Sequence, residues 1–89
     1  MNATDATIYM VLIAGMLVDA PLGGRGSGEV YATLMGRIDL STYNALIAVG
    51  RKSGLWTETP GHWLEATEKG RFLVERAEGI VRAQQALED

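Results

Sequence analysis

Residues 40–71, LSTYNALIAVGRKSGLWTETPGHWLEATEKGR, constrain the fold more than any other stretch, because every change of periodicity in them carries its own breaker. Helix-spaced apolar residues run for about four turns and end at Gly54, the residue type wanted past a helix C-terminus. Alternating residues then flank Pro60-Gly61. Proline fixes one dihedral and glycine supplies positive φ, so the pair predicts a tight turn and a β-hairpin. Thr67, ahead of Glu68 and Lys69, predicts the N-cap of a last helix.

A two-residue turn sets a definite register. Thr59 faces His62, Glu58 faces Trp63, Thr57 faces Leu64, Trp56 faces Glu65 and Leu55 faces Ala66. Alternation then puts Leu55, Thr57, Leu64 and Ala66 on the core face, and Trp56, Glu58, Trp63 and Glu65 on the outer face. Two outward tryptophans on a diagonal serve either as anchors for a partner or as a mutual brace for the hairpin.

The chain has 89 residues, one small domain near the lower size for an adequate core. With no cysteine and a single histidine, His62, it can build neither a thiolate site nor a triad, so no enzyme activity is expected. No cofactor motif is matched, and none is expected. Residues 8–18, IYMVLIAGMLV, are too few to span a bilayer and follow no positive residue, so they are expected to form core in a cytoplasmic protein. The net charge of −3 weighs against a nucleic-acid partner, since phosphate contacts supply most non-specific affinity. Yet residues 25–52 hold Arg25, Arg37, Arg51 and Lys52 against only Glu29 and Asp39.

Thr4 or Asp5 is expected to cap a first helix that reaches about Asp19. Its middle is apolar on every side, so either a second copy of the chain covers it or it is the centre of a three-helix core. Residues 22–28, LGGRGSG, match neither GxGxxG nor a P-loop and are expected to be a mobile connector. A second helix follows from Ser27 or Gly28 to Arg37, with Val30, Leu34 and Ile38 on one face, and Asp39-Leu40-Ser41 forms the turn to the third helix.

On a helical wheel the third helix buries Tyr43, Leu46, Val49, Gly50 and Ser53 and presents Ser41, Asn44, Ala48, Arg51 and Lys52. Asn44 suits a bidentate contact to adenine, Ser41 a base edge or phosphate, and the small Ala45 and Ala48 allow close approach. Arg51 and Lys52 suit phosphates, with Arg25 and Arg37 as further candidate contacts. The last helix, from about residue 68 to 87, carries Leu73, Ala77, Ile80, Gln84 and Leu87 at steps of four and three, a short heptad-like seam. It either pairs with its copy or folds back on the first helix, and the dimer is preferred. A cleft between these two helices, near Tyr9, Met16 and Phe72, would suit an apolar ligand, although such residues more often form plain core.

Together these residues resemble the PadR branch of winged-helix transcriptional regulators, relatives of the MarR group. The resemblance rests on APLGGRGSGEVY (Ala20 to Tyr31), STYNAL (Ser41 to Leu46), Ser53-Gly54-Leu55 and LEATEKGR (Leu64 to Arg71). It implies a mainly α fold with a small β-hairpin: a winged helix-turn-helix in residues 1–67 and a C-terminal dimerisation helix in residues 68–89. It implies a homodimeric, sequence-specific regulator of transcription, most simply a repressor of double-stranded DNA targets. Ser41, Asn44, Arg51 and Lys52 would then contact DNA, and Leu73, Ile80 and Leu87 would form the dimer seam. The competing expectation is a winged-helix module that binds protein through Trp56 and Trp63, beside Glu58 and Glu65, without binding DNA.

Overall fold

The computed structural model describes residues 1–88; Asp89, the end of the expected 68–89 segment, lies outside them. The chain is mainly helical with a small antiparallel sheet, in the order α1 (Ala3–Val18), β1 (Gly24–Gly26), α2 (Ser27–Leu34), α3 (Leu40–Lys52), β2 (Trp56–Thr59), β3 (Trp63–Ala66) and α4 (Glu68–Glu88). The spatial strand order is β1-β3-β2. Among the described residues no helix is long and apolar enough to cross a membrane.

Helix boundaries follow local chemistry. Asn2, two residues ahead of Thr4 and three ahead of Asp5, the expected caps, accepts the Asp5 N–H at 2.8 Å and starts α1. α2 stops at Leu34, short of the expected Arg37, and the Arg37 and Ile38 N–H groups close the turn on the Leu34 carbonyl. Leu40 and Ser41 belong to the first turn of α3 rather than to the connection, because Asp39 caps the helix through the Thr42 N–H at 2.7 Å. Thr67 caps α4 as its sequence implies, accepting the Gly70 N–H at 3.1 Å, while its hydroxyl donates to the Gly54 carbonyl at the end of α3.

The glycine-rich connector is ordered. Gly24, Arg25 and Gly26 pair with Glu65, Leu64 and Trp63, making a third strand where a mobile loop was expected. Strand propensity disfavours glycine, but here a neighbour requires it. An added Cβ at Gly24 would run into the Leu64 carbonyl and approach the Trp63 indole nitrogen to 2.7 Å.

The hairpin differs from the expected register by one residue. Trp56 pairs with Ala66, Thr57 with Glu65, Glu58 with Leu64 and Thr59 with Trp63. Pro60-Gly61 does form the turn, closed by the His62 N–H on the Thr59 carbonyl, but His62 follows in the left-handed region at φ 62° and adds a loop residue. Because side chains alternate, that one residue reverses the facing of β2 while β3 keeps the face expected of it. Trp56 and Glu58 turn inward with Leu64 and Ala66, and Thr57 with Glu65 turns outward. A strained non-glycine residue costs about 1–3 kcal/mol, whereas burying the roughly 150–250 Å² of an indole at about 25 cal/mol per Å² is worth roughly 4–6 kcal/mol. Burial of Trp56 wins.

The core gathers Ile13, Ala14 and Leu17 of α1, Val30 and Leu34, Tyr43, Leu46 and Ile47 of α3, Trp56, Leu64 and Val74. α1 packs against α3, α4 and the β1 and β3 strands, so it is the centre of this core. It still leaves Ile8 and Leu12 exposed. α4 folds back on α1 with Val74 buried; of the expected seam, Leu73 packs partly buried against the core, Ala77 is half-buried, and Ile80, Gln84 and Leu87 are exposed.

Gly50 lies under Trp56, where an added methyl would fall inside the indole ring. Gly50→Ala is therefore expected to lower unfolding free energy by about 1–3 kcal/mol in urea titration. Gly28→Ala, where a Cβ meets nothing within 4 Å, is expected to leave stability unchanged or slightly raised.

Candidate nucleic-acid interface

The fold leaves the face of α3 opposite its buried residues small and polar. Ser41, Asn44, Ala45 and Lys52 are exposed on it, with Ala48 half-buried between them. At 1.5 Å per residue the stripe from Ser41 to Lys52 is about 16 Å long, roughly five base-pair steps. The buried side holds Tyr43, Leu46, Ile47 and Gly50. Val49 and Ser53, expected inside, are exposed, and Ile47 takes the inner place because the hairpin lies toward that flank.

Three contacts position this helix. The Tyr43 hydroxyl donates to the Ser27 carbonyl at 2.9 Å and stands 2.9 Å from the Ser27 hydroxyl, which leaves that hydroxyl to act as donor to the phenol oxygen. Burial pushes the Tyr43 phenol above its ordinary 10.0, against a smaller lowering by Ser27, so the phenol stays a donor. The Trp56 indole N–H donates to the Ile47 carbonyl at 3.0 Å. Asp39 fixes the start, and the Thr42 side chain and then its backbone N–H hold the Asp39 carboxyl below its ordinary 3.8.

The expected site residues divide. Ser41, Asn44 and Lys52 share the stripe, and Arg37 is exposed in the turn just before it. Arg25 does not join them. Its Nε donates to the Met16 carbonyl at 3.1 Å and its guanidinium lies 3.9 Å from Glu29, so it braces β1 against α1. Arg51 sits on the margin of the stripe toward β2 and is held by Glu58 at 2.9 Å. The outward pair of tryptophans does not exist: Trp56 is 1% exposed in the core, and Trp63 lies half-buried on the other face of the sheet, over Gly24. The expected ligand cleft also loses two members, since Tyr9 and Met16 pack on the core and only Phe72 lines the groove between α1 and α4.

The sequence reading missed Glu58 as the partner of Arg51 and Ser27 as that of Tyr43. The first follows only from the register shift, and the second needs α2 and α3 placed side by side. No family model matches the sequence, and comparison with characterised proteins and with solved structures finds no match.

Since the Asp39 carboxyl is lowered in the folded state, its stabilisation is full above about pH 3.8 and is lost as pH falls through the lower folded value. Asp39→Ala is expected to lower the urea midpoint at pH 7, and the gap to the unmutated protein is expected to close as the pH is brought to 2.

Proposed function

We propose that the chain is a winged helix-turn-helix domain that binds double-stranded DNA as a homodimer and regulates transcription, most simply as a repressor. The observation that carries this reading is the uncovered stripe Ser41, Asn44, Ala45, Ala48 and Lys52 on a helix that two other elements hold rigidly. Small residues let a helix backbone enter the major groove, and an amide near its N-terminal end is suited to adenine. α2 and the 35–39 turn precede this helix, and a two-stranded ribbon follows it, the order in which such domains place a helix in one groove and a wing beside the next.

Charge supports the assignment locally. Arg37 and Lys52 have no ion-pair partner among the described residues, and most acidic residues lie on α4 and the hairpin. The homodimer draws its support from another surface. Ile8 and Leu12 of α1 and Ile80 and Val81 of α4 line one continuous apolar strip, each more than 40% exposed. A patch of this kind on so small a domain marks an interaction surface, and a self-pairing strip would space two copies of α3 for paired half-sites.

Asn44→Ala is expected to weaken binding to a selected operator by about 1–3 kcal/mol, a five- to 150-fold loss in fluorescence anisotropy, with the fold intact by circular dichroism. Lys52→Ala is expected to weaken binding to all sequences alike and to flatten the slope of log affinity against log salt by about one. Unchanged affinity in both variants removes the stripe as the contact surface. Ile80→Glu is expected to halve the mass in light scattering while preserving the helical spectrum; a single mass for both proteins overturns the strip as the dimer contact.

A further inference from the structure

The DNA reading leaves one feature of the hairpin unused, a carboxylate that occupies the cation beside the proposed contact helix. Glu58 stands on the inward row of β2 opposite Leu64, and its side chain is 19% exposed. One of its oxygens accepts from the Arg51 guanidinium at 2.9 Å; the other lies 3.0 Å from His62 Nδ1. His62 reaches it from the left-handed backbone position at the turn, with its own side chain 83% exposed. The carboxylate is thus held at both oxygens, facing Arg51 on the margin of the α3 stripe.

A guanidinium N–H given to a fixed carboxylate is not available to a phosphate, and the negative charge 2.9 Å away opposes any phosphate that approaches. We propose that Glu58 is a latch that withholds Arg51 from the DNA backbone, so that non-specific duplex is bound weakly and the arginine is released only where base contacts along the stripe offset the exchange. Phosphate contacts supply nearly all non-specific affinity and only part of specific affinity. Specificity is a difference of affinities, and a like charge set against the unwanted complex enlarges it. The latch rests on the DNA-binding reading and adds to it the residue that sets its discrimination.

The test measures anisotropy of a labelled random-sequence 30-base-pair duplex with the full chain at several salt concentrations. The proteins are the unmutated form, Glu58→Gln, Arg51→Ala, the double variant, and Glu65→Gln, which makes the same charge change on the outer face of the sheet. Glu58→Gln is expected to tighten binding several-fold and to steepen the salt slope by about one. Glu65→Gln is expected to do much less, and most of the gain is expected to vanish in the Arg51→Ala background. Binding by the unmutated chain with no gain in Glu58→Gln, or with an equal gain in Glu65→Gln or in the Arg51→Ala background, overturns the latch and leaves the DNA reading standing. Absence of binding by every protein at low salt overturns both.

Discussion

The rest of the structure depends on the seat of the Trp56 indole against the backbone of α3. The ring lies where a side chain at position 50 would have been, and its N–H reaches the Ile47 carbonyl, so hairpin and helix touch through backbone as well as through apolar surface. The chain bends back at Leu55, whose N–H binds the Gly50 carbonyl and whose carbonyl accepts the Thr67 N–H. The end of α3, the start of β2 and the start of α4 are therefore one joint. Gly70 belongs to it, since a Cβ there would strike the Leu55 carbonyl.

That joint decides what α3 can offer. With its inner side given to Trp56, Tyr43 and the α1 core, the helix keeps only its small polar residues outside, and Tyr43 ties it to α2 at Ser27. The same inward turn of Trp56 carries Glu58 to the inner row, two residues along the strand, and so within reach of Arg51. An aromatic residue chosen for burial thereby sets the electrostatics of a surface it does not touch.

Much of this was legible. The α3 stripe follows from helical period, the Thr67 cap and the Gly54 stop from local backbone chemistry, and the Pro60-Gly61 turn from the dihedral preferences of those two residues. The register was not legible, because a two-residue and a three-residue loop are both compatible with TPGHW and differ by whether His62 enters the left-handed region. β1 was hidden for a related reason. Gly-Arg-Gly carries no strand propensity, and its first glycine, Gly24, is demanded by the Trp63 indole and the Leu64 carbonyl, which lie nearly forty residues away in sequence. Arg25 had the composition of a phosphate contact, yet the pairing of β1 aims it at the Met16 carbonyl.

What the sequence determined by itself is the inventory of elements and the outer face of α3, since caps, breakers and the 3.6-residue period act over a few neighbouring residues. Only the tertiary structure decided which face of the hairpin is inside, that the glycine connector is a strand, that α4 lies on α1, and that Arg25 and Arg51 are engaged by Glu29 and Glu58. Those outcomes turn on the burial of one indole and on close backbone approach between distant segments, and the energies involved exceed the local preferences that a sequence displays.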